Sequence, residues 1–265
     1  MNIQLIRNAT LKLTYGGKTY LIDPYFASAF SQMSFSGKSK NPVVDLPLSI
    51  TEILESVDAV IVSHLHPDHF DEEAQQVLPK DLPVYCQPAD TELIKQMGFS
   101  EVITVDDHVE IGNTTLTRTD CQHGSGEILP LMGAVSGFVF QHTREDTLYW
   151  CGDTIWYSEV MQVIDQYDPK VIVCPAGGNQ FFSEHPVFAP AFTSDSNPLV
   201  MDDQQVITLC EYAPESLVVA THIGALDHET VSREQLRLSA RKWNVSDRLL
   251  IPEDGKKLIF ERLIQ

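Results

Sequence analysis

The stretch SHLHPDHF, residues 63–70, constrains the fold of this chain more than any other part of its sequence. It follows an apolar run at residues 59–62, which predicts a buried strand. Four of its side chains can bind a metal ion, in the pattern H-x-H-x-D-H: His64, His66, Asp68 and His69. The fold must therefore carry a buried strand to an edge where these polar side chains can be used together.

The spacing within this motif suits two adjacent metal ions. Alternate residues of an extended segment point to the same side, so His64 and His66 can reach one point. If the chain then turns into a helix, Asp68 and His69 can face a second point beside the first. Imidazole nitrogens and carboxylate oxygens are ligands for zinc and similar cations. The motif predicts two incompletely coordinated metals, and the alternative is a polar loop that caps a helix.

Three further strand-like runs end in residues that can bind a metal. TRTDCQHGSG contains His123, TLYWCGDT contains Asp153 in a Gly-Asp-Thr turn, and SLVVATHIG contains His222. Side chains at the ends of strands gather at one edge of an α/β-type fold. We therefore expect these three residues to complete the site that the first motif begins.

The order of these motifs resembles the metallo-β-lactamase superfamily, in which H-x-H-x-D-H is followed by His, then Asp, then His. The GDT turn, the stretch YGGKTYLIDP and the ending MDDQQ…VVATH resemble the L-ascorbate-6-phosphate lactonase-like branch of metal-dependent hydrolases. The resemblance covers nearly the whole chain. It implies an α/β fold of the αββα type, a sandwich of two mixed β-sheets flanked by helices, with the site at one edge of the sheets.

The resemblance also implies how seven residues share two metals. The first metal would take His64, His66 and His123, the second would take Asp68, His69 and His222, and Asp153 would bridge both. The ions would be divalent, zinc or manganese, and iron suits the same ligands.

A reaction follows from this arrangement. Two metals roughly 3.5–4 Å apart share a water and lower its pKa toward neutrality, so a bridging hydroxide could attack a small-molecule ester. The resemblance implies a lactone or a phosphorylated lactone as that ester. The catalytic residues would be Asp153, which counters the metal charge and fixes the spacing, and Asp68, which orients the nucleophile or returns a proton to the leaving group.

Four other residues have open roles. Asp23 resembles an acceptor behind a ligand histidine, and the alternative is an aspartate that starts a turn before Pro24. Lactonase-like relatives often carry a His in a GHA-like stretch where this chain has Asn8 in RNAT, which leaves that role open. His185 and His228 could contact substrate, or could be ordinary turn or surface histidines.

Charge and cysteine usage limit the partners. There are 37 acidic and 18 basic residues, a formal net charge of -19, and no Lys/Arg cluster, so nucleic acid and anionic membranes are not expected partners. Five scattered cysteines without a C-x-x-C pair are typical of reduced thiols. No apolar stretch is long enough to span a bilayer, and the first residues lack the apolar core of a secretory signal. We expect a cytoplasmic protein that acts on a small molecule.

Other functions on the same fold stay open. A phosphodiesterase or nuclease would use the same metals, although the acidic charge disfavours a nuclease. An iron-dependent oxidoreductase is a second alternative, because histidine and carboxylate also suit iron. A metal-binding protein without catalysis is a third. Homo-oligomers occur among relatives, so the resemblance makes a homo-oligomer an expectation for this chain.

The remaining pattern predicts one mixed α/β domain over residues 1–265. A hairpin is expected at Gly16–Gly17, and strands that cluster early and then alternate with helices favour two packed sheets. A strand-type run covers residues 109–119. The length of the loop at residues 25–47 indicates a lid or binding loop. We expect substrate specificity to depend on this loop and on residues 178–200. Helices are expected at residues 49–55, 71–77, 90–97, 155–166, 202–212 and 232–241.

Overall fold

The computed structural model describes residues 1–181 and 197–261, and these form two sheets of seven strands each. The first sheet contains β1 (Asn2–Arg7), β2 (Thr10–Tyr15), β3 (Lys18–Ile22), β4 (Ala59–Val62), β5 (Val84–Cys86) and β6 (Val102–Thr104). The second contains β7 (His108–Ile111), β8 (Thr114–Asp120), β9 (Ser136–His142), β10 (Leu148–Trp150), β11 (Val171–Pro175), β12 (Leu217–Thr221) and β13 (Leu249–Leu250). The last strand, β14 (Lys257–Ile259), returns to the first sheet.

Each sheet mixes antiparallel and parallel pairs. The first has the order β14-β1-β2-β3-β4-β5-β6, and the second has the order β13-β12-β11-β10-β9-β8-β7. The parallel pairs are β3–β4–β5–β6 in one sheet and β10–β11–β12–β13 in the other. Strands β4 and β11 are buried along their whole length, as expected for strands covered on both faces.

Within the described residues, six α-helices lie on the outer faces of the sheets. They are α1 (Ile50–Leu54), α2 (Glu72–Val77), α3 (Thr91–Gln96), α4 (Ser158–Tyr167), α5 (Asp203–Tyr212) and α6 (Arg233–Lys242). The first three pack on the outside of the first sheet, and the last three pack on the outside of the second. A third apolar cluster lies between the sheets and joins Leu13 and Tyr20 to Phe138 and Trp150. The predicted αββα sandwich is therefore confirmed.

Two predicted strand runs are divided in the structure. The run before Gly16 is two strands, because Asn8 has a φ of 58° and reverses the chain between β1 and β2. Asparagine is one of the few residues that tolerate this left-handed conformation. The run at residues 109–119 divides at Gly112, whose φ of 64° makes the turn from β7 to β8. The predicted helix at 155–166 begins later, at Ser158.

The predicted loop at residues 25–47 contains no helix or extended strand, and this stretch is fully described. Its two ends are fastened by one buried guanidinium, that of Arg7 in β1. Nη2 donates to the carbonyls of Tyr25 and Ala27, both at 2.9 Å, and Nη1 donates to the carbonyl of Val44 at 3.0 Å. The ends of the loop are therefore held as part of the core.

No helix within residues 1–181 and 197–261 combines the length and apolarity that crossing a bilayer requires.

Replacement of Arg7 by methionine tests this fastening. Arg7→Met leaves three carbonyls without their donor, so the free energy of unfolding should fall by roughly 3 kcal/mol. Arg7→Lys, which keeps the charge with fewer donors, should lose less. Urea denaturation followed by tryptophan fluorescence measures both, with Arg241→Met on the exposed last turn of α6 as the control. Equal stability of Arg7→Met and the control would contradict this role.

Candidate metal centre

All seven predicted ligands converge where strands of the two sheets end. His64 follows β4 in the first sheet, while His123, Asp153 and His222 follow β8, β10 and β12 in the second. The centre therefore lies in the seam between the sheets, and neither sheet could form it alone.

Three of the histidines form one corner of the centre. His64, His66 and His123 each offer a ring nitrogen, and these atoms lie within 4.8 Å of one another. His64 and His123 are buried, and His66 is half-buried at the cavity side. Nε2 of His64 is buried without a hydrogen-bond partner among the described residues. A buried nitrogen of this kind is costly unless a further group binds it.

The second corner contains one carboxylate and two histidines. Ligand atoms of Asp68, His69 and His222 lie within 4.8 Å of one another. Oδ2 of Asp68 is 3.2 Å from Nε2 of His222 and 3.5 Å from Nε2 of His69.

Asp153 lies between the two corners. Its Oδ2 is 3.1 Å from Nε2 of His69 and 3.4 Å from Nε2 of His222, both in the second corner. The same oxygen is 3.8 Å from Nε2 of His123 in the first corner. One carboxylate oxygen therefore contacts histidines of both groups.

A layer of hydrogen bonds orients the histidines from behind. The carboxylate of Asp23 accepts from the backbone N–H of Ser63 at 2.8 Å and from its hydroxyl at 2.6 Å, and contacts Nδ1 of His69 at 2.6 Å. His123 is oriented in the same way, with Nδ1 at 2.9 Å from the carbonyl of Leu199. Asp23 therefore has the acceptor position that its sequence context suggested. Its φ of 45° shows that it also makes the turn before Pro24.

Asn8 contacts the second corner directly. Its Nδ2 donates to the carbonyl of Asp68 at 3.1 Å and to Oδ2 of the same residue at 3.2 Å. The backbone carbonyl of Asn8 accepts a hydrogen bond from the backbone N–H of His222 at 2.9 Å. The residue whose role the sequence left open thus holds two of the predicted ligands.

Burial keeps the first corner neutral. Burial, followed by repulsion from His69, lowers the pKa of His64 well below its ordinary value. Burial also lowers the pKa of His66 to about 4 and lowers that of His123. These three imidazoles are neutral near neutral pH and keep lone pairs for a cation.

Charge dominates in the second corner. Burial would raise the pKa of Asp153, but the charges of His69 and His222 outweigh it and hold the pKa well below its ordinary value. The pKa of Asp68 is lowered against burial by the same two histidines. In return the two carboxylates raise the pKa of His222, against burial, to about 10. Two buried carboxylates are therefore anionic and require positive charge beside them.

This donor set fits divalent cations. The neutral imidazoles of the first corner converge with two anionic carboxylates, and Nε2 of His64, buried in the first corner, has no hydrogen-bond partner among the described residues. Zinc, manganese and iron all accept nitrogen and oxygen ligands of these types.

A cavity of about 350 Å³ opens beside the centre. Its wall includes six apolar residues that sequence reasoning did not single out: Met33, Phe35, Leu131, Met132, Phe181 and Leu199. Met33 and Phe35 lie in the loop at residues 25–47, and Leu131 ends a short 3₁₀ helix, Gly126–Leu131. No spacing pattern marks such residues individually, because they come from several loops that are distant in the sequence.

His228 borders the same cavity. Its ring stacks on that of Phe181 at 5.1 Å and meets the ring of Phe35 edge-on at 5.3 Å. Its Nε2 is 3.2 Å from Nδ2 of Asn179. Of the two histidines considered for substrate contact, His228 is thus placed at the cavity, and His185 lies outside the described residues.

Comparison with known proteins decides the family. A family model described as the beta-lactamase superfamily domain matches residues 18–223. The chain belongs to the metallo-β-lactamase superfamily.

Three relatives match nearly the whole chain. The UPF0173 protein YddR of Bacillus subtilis is 38% identical over 98% of this chain and 100% of its own. The crystal structure of a possible metal-dependent hydrolase from Veillonella parvula is 33% identical, with a TM-score of 0.90 over 97% of this chain and 98% of that one. An isothiocyanate hydrolase from Delia radicum gut bacteria is also 33% identical, with a TM-score of 0.88 over 99% and 100%. This chain is a metal-dependent hydrolase of the metallo-β-lactamase fold.

Replacement of Asp23 tests the layer behind the histidines. Asp23→Asn keeps the size of the side chain and removes the anionic acceptor for His69, so metal affinity should fall about 10- to 100-fold. Competition with a chromogenic chelator measures the affinity. The matched control is Asp45→Asn, because Asp45 is exposed and also accepts a backbone N–H, that of Ala29 at 3.1 Å. Unchanged affinity in Asp23→Asn would refute the orienting role.

Proposed function

We propose that this metal-dependent hydrolase acts on a small, uncharged, largely apolar electrophile, and that this substrate is an isothiocyanate. The observation that carries the proposal is the wall of the cavity beside the metal centre. Away from the predicted ligands this wall is mostly apolar, and the described lining residues include no Lys or Arg.

The ligand assignment is part of the proposal. The seven residues would hold two divalent cations, the first through His64, His66 and His123, the second through Asp68, His69 and His222, and both through Asp153. The convergence of their ligand atoms supports this division, as does the contact of one Asp153 oxygen with both corners.

The missing cationic side chains argue against a phosphorylated substrate. A phosphate in a cavity is normally held by Arg, Lys or several backbone N–H groups. The segment at residues 182–196 also contains no Lys or Arg in its sequence, and contains Glu184 and Asp195. Among lactones, an unphosphorylated one therefore fits better than the phosphorylated form that the family resemblance suggested.

The relative from Delia radicum gut bacteria supports the choice of an isothiocyanate. It is named an isothiocyanate hydrolase, and it matches this chain at 33% identity over 99% of the length. An isothiocyanate, R–N=C=S, has an apolar R group and one electrophilic carbon. The cavity offers both a largely apolar wall for R and a polar side for the reacting group.

In this reaction the oxygen of a water bonds to the central carbon, the C–N bond breaks, and both water protons end on nitrogen. One isothiocyanate and one water thus give one amine and one carbonyl sulfide. When bound, the two cations would supply a water of lowered pKa and would polarise the carbon under attack. Asp68 borders the cavity and accepts from Nδ2 of Asn8, and in this proposal its carboxylate would pass a proton from the water to the leaving nitrogen.

An unphosphorylated lactone is the second candidate. The same apolar wall would accept its ring and alkyl chain, and the motif resemblance to the lactonase-like branch favours it. Attack on the lactone carbonyl would need the same proton transfer, to the ring oxygen instead of nitrogen.

The protein loaded with Zn²⁺ or Mn²⁺ should convert benzyl isothiocyanate to benzylamine, and chelation should abolish the activity. Asp68→Asn cannot carry a proton, so kcat should fall about 100-fold or more. Chromatographic assay of the amine measures the rate, and mass spectrometry measures bound metal. Asp165→Asn, in which a surface contact to Tyr212 is changed, is the control.

A parallel assay with γ-heptalactone separates the two candidates by proton release. Ring opening without amine release would favour the lactone. Fully metal-loaded protein that acts on neither substrate would contradict the proposed function.

A further inference from the structure

The carboxylate of Asp227 is the centre of an unusually dense set of hydrogen bonds. Asp227 follows β12, and its side chain is only 1% exposed. All of its described hydrogen-bond donors come from one short part of the loop at residues 25–47. They are the backbone N–H groups of Phe35, Ser36, Lys38 and Ser39, the hydroxyls of Ser34 and Ser36, and Nδ2 of Asn41.

The backbone of Asp227 also forms hydrogen bonds with side chains of the same loop. The backbone N–H of Asp227 donates to Oδ1 of Asn41 at 2.9 Å, and its carbonyl accepts from the hydroxyl of Ser36 at 3.0 Å. Hydrogen bonds to an ionised acceptor are about twice as strong as neutral ones. One buried anion therefore holds a stretch that contains no helix or extended strand and that is otherwise paired at its end through the bridge between Gln32 and Asn41.

This stretch separates two cavities. Met33 and Phe35 border the cavity of about 350 Å³ beside the metal centre, and they also border a groove of about 620 Å³ that includes Glu72 and Gln75. We name residues 33–41 the partition segment, since two of its side chains, Met33 and Phe35, border both spaces, as does Pro67 between two of the predicted ligands. A displacement of Met33 and Phe35 would therefore change the space available in the first cavity.

His228, the residue after Asp227, borders the cavity beside the metal centre. His228 lies between the rings of Phe35 and Phe181, so the turn that places Asp227 also places an aromatic ring against the partition segment. The loop ends are held independently by Arg7. Loss of the Asp227 carboxylate would therefore release the centre of the loop and leave its ends in place.

We propose that Asp227 is a positioning residue that sets the largest apolar group the substrate can carry, by fixing the partition segment between the two cavities. The predicted effect on substrate size rests on the proposed function. The claim that Asp227 fixes the partition segment does not depend on it. Asp227→Asn is the sharpest change, because the amide has the same shape but replaces one acceptor oxygen by a donor that faces other donors.

The first experiment uses hydrogen exchange of the metal-loaded protein. In Asp227→Asn, the amides of residues 34–41 should exchange about tenfold faster or more, while those of β4 and β12 should not change. Asp58→Asn is the control, since Asp58 also accepts a backbone N–H, that of Thr19 at 2.8 Å, far from the cavity. Unchanged exchange at residues 34–41 would overturn the proposal.

The second experiment measures kcat and KM for allyl, benzyl and naphthylmethyl isothiocyanate. In Asp227→Asn, the kcat/KM of the naphthylmethyl compound relative to allyl should rise about fivefold or more, through KM, with bound metal unchanged. A purely structural defect would lower kcat/KM for all three compounds together, and that result would overturn the proposal.

A milder variant covers the case in which Asp227→Asn does not fold. Ser36→Ala removes one hydroxyl that donates to the Asp227 carboxylate, and should shift exchange and size preference in the same direction by smaller amounts. If the wild-type protein hydrolyses none of the isothiocyanates, the proposed function fails. The exchange experiment then still decides whether Asp227 fixes the partition segment.

Discussion

The burial of two carboxylates among histidines, at the seam between two sheets, is the constraint on which the rest of this structure depends. Asp68 and Asp153 are ionised although they are buried, which is tolerable only where positive charge lies beside them. The positive charge must lie where the two sheets meet, because the predicted ligand atoms come from loops of both sheets. The αββα sandwich meets this need by bringing the ends of β4, β8, β10 and β12 to one edge.

Hydrogen bonds from Asp23 and Asn8 fix the orientation of the predicted ligands once the fold has brought them together. Asp23 holds Ser63 and His69, and Asn8 holds Asp68 and the backbone of His222. Asn8 and Asp23 both have positive φ, so the turns that end β1 and β3 also deliver the orienting groups. The metal chemistry of the family and the local backbone of this chain are thus linked through the same short turns.

The shape of the cavity has a different physical origin from the metal centre. The described cavity wall is apolar apart from the predicted ligands and a few polar groups, and it is built from loops that share no strand. Such a wall keeps its shape only if the loops are fastened from behind. Arg7 fastens the loop ends through three carbonyls, and Asp227 fastens the partition segment through its N–H and O–H groups. Two buried charges thereby support the apolar part of the cavity wall.

The sequence by itself determined the order of strands and helices, the two packed sheets and the seven residues that meet at the centre. Hydrophobic periodicity and the motifs at strand ends involve residues that are close together in the sequence, so they can be recognised without the tertiary structure. It could not predict that Asn8 would contact Asp68, that Asp227 would collect its donors from residues 34–41, or that Phe35 and Phe181 would enclose His228. Those contacts join residues far apart in the chain, and no spacing rule encodes them. Only the packing of the two sheets and their loops decides which distant side chains share one pocket wall.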